Sequence, residues 1–346
     1  MKERNMNAKK ISVAVLLALA AAGCAKKDDA PVAAASAPAT PAASAPPAEI
    51  VIPGEHITPE SLTSTADGHV IIGSVQARTI WRAAPGASTA EAWIQPGTDG
   101  LQGVFGVFAD DATGTLYACS GSFGAPPSNG LPPPPSTLHT FDLATGAPKG
   151  KYPLPDAGAF CNDIAVDSKG NIYVTDTQNM LVDRLVKGGT KLETWAGKDG
   201  SLGAKGGVLD GIAVLGDRVL VNALMASKLY AVPIGANGAA GKAVEIKTNR
   251  VIDRPDGMRS FGANDLLVAE GGGAGRLSRV TITGDSGNAT TVKEGFPDGP
   301  VAVTVVGTTA YVLEGQLALM MNPPKPGDPV PPAKPYKATA VEVGKP

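Results

Sequence analysis

The chain has 346 residues, 43 of them Gly and 30 Pro, with 43% hydrophobic, 5% aromatic and 18% charged residues. It is long and apolar enough to bury a full core, which excludes a disordered or highly charged protein, and a formal net charge of -2 gives no basic groove for nucleic acid. Abundant Gly without long helical periodicity points instead to an all-β chain of short strands and tight turns.

Met1 to Lys10 carries Lys2, Arg4, Lys9 and Lys10 against Glu3, and an apolar run from Ile11 to Ala22 follows, ending at Gly23 and Cys24. This is the pattern of a secretory signal over residues 1–23. The run from Ile11 to Gly23 is too short to span a bilayer as a helix. Ala22-Gly23-Cys24 resembles the lipobox of bacterial lipoproteins, although Ala21 stands where that family usually has Leu. The resemblance implies lipidation of Cys24 and attachment to a membrane through it. With Ala25 rather than Asp next, it implies a periplasmic location at the outer membrane. Residues 24–48 then form the lipidated Cys and an Ala/Pro/Ser-rich tether, able to reach roughly 70 Å at about 3.1 Å per residue.

From Glu49 to the end a β-rich phrase recurs in six versions: HVIIGS from His69, TLYACS from Thr115, NIYVTD from Asn171, RVLVNA from Arg218, DLLVAE from Asp265 and TAYVLE from Thr309. Their starts are 46, 56, 47, 47 and 44 residues apart. Each follows a turn signal and another apolar strand, as around Ser168-Lys169-Gly170, and later copies continue into further strands such as SKLYAVPI and GRLSRVTI. Repeats of this length with four strands each predict one domain over 49–346, an all-β six-bladed β-propeller with four-stranded antiparallel blades. A stacked β-solenoid is the competing arrangement. The N-terminal EIVI and the C-terminal YKATAVEV are the segments expected to close the ring. Pro-rich inserts between Gly124 and Pro135 and between Asn322 and Pro335 fall in loops of one face, where they form either a partial lid or plain solvated loops.

Counting back from each phrase to the start of the preceding strand reaches Glu60, Asn162, Asp210 and Asp256 at offsets of eight or nine residues. The matching positions in the second and sixth repeats fall near Gly106 and Pro300. Innermost strands line a propeller's channel, so these positions converge. Carboxylates about 4 Å apart repel by roughly 4 kcal/mol per pair at an effective dielectric near 20, so the cluster calls for one divalent cation or substantial protonation. Oxygen-only ligands favour Ca²⁺, with Zn²⁺, Mn²⁺ and Mg²⁺ as alternatives.

Glu60 in TPESL, Asn162 in CNDIAVD, Asp210 in LDGIAV and Asp256 in RPDGM resemble the metal ligands of the senescence marker protein/gluconolactonase family, the regucalcin-like six-bladed propellers. The resemblance covers residues 57 to 320. It implies a divalent cation in the channel that polarises a lactone or ester carbonyl, with Asp256 as general base and a small-molecule substrate. Asp210 stands where the family commonly has Asn, which adds a negative charge, and Ser61 stands where Gly often follows the Glu.

Asp176, Asn222, Glu270 and Glu314 end the repeated phrases on the ligand face, where they either line a pocket around the metal or satisfy loop backbone. Gly271, Gly272, Gly273 and Gly275 lack the strand-to-helix context of a nucleotide loop and read as a tight turn. Cys119 and Cys161 lie on one face of adjacent repeats. With Cys24 lipidated they make an even pair, so a disulfide is expected in an oxidising compartment, with two free thiols as the alternative. His56, His69 and His139 are scattered and are expected at the surface, and no Gly-x-Ser-x-Gly elbow is present. The reading is therefore a lipid-anchored, monomeric envelope propeller that hydrolyses a lactone or small ester. The alternative is a non-enzymatic ligand- or protein-binding propeller with a structural ion.

Overall fold

The computed structural model describes residues 46–122, 135–204, 207–273, 275–322 and 334–346. The leader, Cys24, most of the tether and most of both Pro-rich inserts lie outside these residues. The described chain opens on β1 (Glu49–Ile52), whose partner comes from the far end of the sequence. A first antiparallel sheet follows in the order β2 (Pro59–Ser64), β3 (Val70–Ser74), β4 (Ile80–Ala83) and β5 (Glu91–Ile94). The next has β6 (Gly103–Asp110), β7 (Thr115–Gly121), β8 (Thr137–Asp142) and β9 (Pro148–Pro153), and the third β10 (Cys161–Val166), β11 (Ile172–Asp176), β12 (Leu181–Leu185) and β13 (Glu193–Ala196).

Two further meanders share one eight-stranded sheet. They are β14 (Leu209–Leu215), β15 (Arg218–Ala223), β16 (Lys228–Pro233) and β17 (Val244–Thr248), then β18 (Pro255–Phe261), β19 (Asp265–Glu270), β20 (Arg276–Thr283) and β21 (Ser286–Glu294). Their outer strands β17 and β21 touch through only two parallel pairs, Lys247 with Ser286 and Thr248 with Gly287. The last sheet joins β22 (Pro300–Val306), β23 (Thr309–Glu314) and β24 (Tyr336–Glu342) to β1, with Glu49 opposite Thr339. The described fold is thus all-β, in five sheets built from four-stranded antiparallel meanders. The first strand of each meander contacts the next: β2 with β6, then β10, β14, β18 and β22, and β22 contacts β2 again.

The repeated phrases are the second strands, and their sequence explains their place. Ile172 and Val174 pack toward Cys119 and Leu138 of the preceding sheet, while Tyr173 between them packs toward Val219 and Val221 of the following one. Both faces of the strand are buried, so Ile172, Tyr173 and Val174 form a continuous apolar run instead of alternating with polar residues. Cys119 on β7 and Cys161 on β10 form a disulfide with Cα atoms 5.1 Å apart. Closing a 42-residue separation stabilises the folded chain by about 4 kcal/mol in the chain-entropy account. His139 departs from the surface expectation. It is 3% exposed and stacks on Phe141, because β8 is covered by neighbouring strands, and burial holds its pKa down.

Each first strand breaks register with its second strand at one place: Pro59/Ser61, Val104/Val107, Cys161/Ile164, Leu209/Ile212, Pro255/Met258 and Pro300/Ala302. Such a bulge re-aims the unpaired side chain out of the pleat. The residue immediately after the first paired position is Glu60, Phe105, Asn162, Asp210, Asp256 or Val301. Phe105 and Val301 therefore replace the expected Gly106 and Pro300, because the hairpins differ in length and a count from the second strand slips by one. Gly106 instead permits close strand packing. A Cβ there would lie 2.2 Å from the Asn162 carbonyl oxygen, and one on Gly211 would lie 2.4 Å from that of Asp256. The first strands approach so closely that these positions have no room for a side chain.

Candidate metal centre

The bulges bring Glu60, Asp210 and Asp256 together. One carboxylate oxygen from each lies within 4.8 Å of the others, and all three residues are buried. Asn162 is buried beside them, and its Oδ1 has no hydrogen-bond partner among the described residues. The backbone behind the donors is fixed from neighbouring strands. Thr175 Oγ1 donates to the Asp210 carbonyl at 2.8 Å, Asn222 Nδ2 donates to the Asp256 carbonyl at 2.6 Å, and Gly257 N donates to Asp256 Oδ1 at 3.0 Å.

Burial is the largest influence on all three acids. It lifts Glu60 well above the ordinary carboxylate range, with the charges of Asp210 and Asp163 adding and Arg259 opposing. Asp256 is likewise pushed well up by burial and by Asp210 and Glu60. Asp210 is pushed to about 7 by burial and Asp163, while hydrogen bonds from Asn162 and Asp256 pull it partly back. Three acids so placed cannot all ionise alone. A divalent cation resolves the conflict, and the orphaned Asn162 Oδ1 with three carboxylates is an oxygen-only donor set that fits a hard ion. Ca²⁺ takes six to eight oxygens, so these four residues would not fill its coordination shell.

The sign of the pH dependence follows. Without metal, the folded protein keeps protons on Asp210 from its ordinary 3.8 up to about 7, where the unfolded chain has released them. That contribution to stability is complete below the unfolded value and is lost as pH rises through about 7. The gain in melting temperature on adding saturating Ca²⁺ is therefore expected to be larger at pH 8 than at pH 5. Equal gains at both pH values would contradict the assignment.

A second charged group was not foreseen from the sequence. Arg259, on β18, reaches Asp163 on β10 with Nη1 at 2.9 and 3.2 Å from its two oxygens. Its Nη2 donates to the Leu62 carbonyl at 3.2 Å and the Val107 carbonyl at 3.1 Å, so one side chain ties together the first strands of four meanders. Asp163 also accepts from Ile212 N at 3.3 Å. The pair is neutral as a unit, which leaves the charge of the three clustered acids to be met by something else.

Asp176, Glu270 and Glu314 serve loop backbone. Asp176 accepts from Phe160 N at 2.9 Å and Asn179 Nδ2 at 2.7 Å, and Glu314 from Asp298 N at 3.0 Å. Glu270 accepts from Asp253 N at 2.7 Å and from Arg250 at 2.8 and 3.1 Å. Of the four strand-end residues only Asn222 bonds to a residue of the acid cluster. A cavity of about 500 Å³ opens instead against Arg254, Gly271, Gly272, Gly273, Phe296 and Pro300. It adjoins the acids, since a Cβ built on Gly271 would lie 3.9 Å from Asp256 Oδ2. The glycine run read as a tight turn is therefore also a cavity wall.

A family profile described as a β-propeller repeat matches residues 154–175. No curated protein matches the sequence. Among solved structures, a gluconolactonase from Xanthomonas campestris aligns with a TM-score of 0.56 at 14% identity, over 83% of this chain and 86% of that one. A calcium-binding protein, regucalcin, from Agrobacterium tumefaciens gives 0.56 at 14% identity, over 86% and 96%. A catalytically inactive virginiamycin B lyase from Staphylococcus aureus, with quinupristin, gives 0.53 at 15% identity, over 84% and 83%. At these identities the likeness is one of fold.

Proposed function

We propose that this chain is a six-bladed propeller of the regucalcin-like type, anchored in the bacterial envelope through Cys24, that hydrolyses a lactone or small ester with one divalent cation. The observation that carries the reading is the meeting of Glu60, Asp210 and Asp256 within 4.8 Å, buried, beside the unpartnered Oδ1 of Asn162. The two meanders of the eight-stranded sheet count as separate blades because only two residue pairs join them, and the circuit of first strands then has six members. The anchor rests on the lipobox-like Ala22-Gly23-Cys24.

A cation held by these four residues would supply Lewis acidity toward a carbonyl oxygen and would acidify water. Asp256, ionised beside the cation and held by Gly257 N at one carboxylate oxygen, accepts the proton of the attacking water and returns it to the departing alkoxide. Phe105 and Val301 complete the same level with apolar surface. Asn222 keeps the Asp256 backbone in place.

The test is metal removal. Purified protein is screened against γ- and δ-lactones and short 4-nitrophenyl esters, then stripped with a chelator and resupplied with Ca²⁺, Mn²⁺, Mg²⁺ or Zn²⁺. Hydrolysis is expected to disappear on chelation and return with one of these ions. Hydrolysis indifferent to chelation would contradict the proposal, and cation binding without any turnover would favour the binding propeller.

A further inference from the structure

The residues two positions before the bulge residues occupy equivalent places in the repeat: Thr58, Gly103, Phe160, Val208, Arg254 and Gly299. Arg254 is the one charged residue among these six. Its backbone is held at both ends, with N donating to Ser227 Oγ at 3.0 Å and the carbonyl accepting from Gly271 N at 3.0 Å. Its φ of 50° is a left-handed value that Cβ crowding disfavours, but Thr58 and Val208 share it at 46° and 57°. The backbone geometry thus belongs to the repeat, and the guanidinium is what distinguishes this position.

That guanidinium is exposed and has neither an ion pair nor a hydrogen bond among the described residues. Arg254 is one of the residues that line the cavity of about 500 Å³, a size suited to a small organic molecule. Gly271 leaves this cavity open toward Asp256. The Cβ it lacks would meet Pro300 O at 3.5 Å and Asp256 Oδ2 at 3.9 Å, ordinary contact distances, so packing alone does not demand glycine here.

We propose that Arg254 and this glycine-walled cavity recognise a carboxylate on the substrate, so that the lactone or ester hydrolysed is itself an anion. The proposal rests on the hydrolase reading of the adjoining acids. A site so rich in carboxylates repels an anion unless a dedicated cation receives it, and a guanidinium presents the paired donors that match a carboxylate. One guanidinium balances one charge, which favours a carboxylate over a dianionic phosphate.

Ligand-observed NMR titration of the Ca²⁺-loaded protein with monomethyl succinate and with neutral dimethyl succinate tests this directly. The monoanion is expected to bind about 10- to 100-fold more tightly, and Arg254→Gln to remove the difference. Gly271→Val, which narrows the cavity, is expected to weaken binding of both probes. Equal binding of the two probes, or a preference that survives Arg254→Gln, would overturn the subsite, and tighter binding of methyl phosphate would overturn the choice of carboxylate. Turnover separates this proposal from the one beneath it. A charge preference in binding, with no lactone or ester hydrolysed, leaves the subsite standing and removes the hydrolase. Hydrolysis of 4-nitrophenyl butyrate and of the 4-nitrophenyl monoester of succinic acid at equal kcat/KM leaves the hydrolase and removes the subsite.

Discussion

Asp256→Asn is expected to lower kcat for lactone or ester hydrolysis by about 100- to 10,000-fold even at saturating cation, the range a general base contributes. The substitution keeps shape and removes basicity. Asp256 sits in the β18 bulge with its carbonyl held by Asn222 and one carboxylate oxygen held by Gly257 N, so the amide can occupy the same place. Asp210→Asn is the matched control, because it also deletes one charge from the cluster. It is expected to weaken the cation about tenfold or more while turnover returns once cation is saturating, since an amide oxygen still ligates. Steady-state kinetics across a cation titration separates the two variants. Equal residual kcat in both would show that Asp256 acts only as a ligand.

Arg259→Met is expected to destabilise the fold by about 3–5 kcal/mol in chemical denaturation, the usual cost of leaving a buried charge without its partner. Asp163 is 4% exposed, and its carboxylate would retain only the hydrogen bond from Ile212 N among the described residues. The Leu62 and Val107 carbonyls would lose their donor at the same time. The double change Arg259→Met with Asp163→Leu is expected to recover much of the loss, because replacing a buried pair by apolar groups is often neutral or stabilising. A single variant as stable as the parent would mean that the pair does not brace the first strands.

The all-β repeat of four-stranded units was legible because a strand buried on both faces writes a short apolar run, and these runs recur at near-constant spacing. The four oxygen donors were legible for a related reason: each follows the same bulge, so an offset from the phrase finds it. That bulge also sets the limit. It shifts the in-out alternation, so Arg259, three residues beyond Asp256, could not be assigned to the channel by counting, and its partner Asp163 is 96 residues away. The same slip put Gly106 where Phe105 lies. His139 was misplaced because a third strand reads as half-polar even where loops and strands cover it, and the Gly271 run gave no sign of a cavity because glycine is equally the mark of a turn.

The most direct test of the central claim is calorimetric titration of chelator-treated protein with Ca²⁺ at pH 7.5. The geometry predicts one site per chain, with protons released as Glu60, Asp210 and Asp256 give them up to bind the ion. No binding of Ca²⁺ or of Mn²⁺, Mg²⁺ or Zn²⁺ to the folded protein would contradict it, and would mean that the three acids share protons instead of a metal.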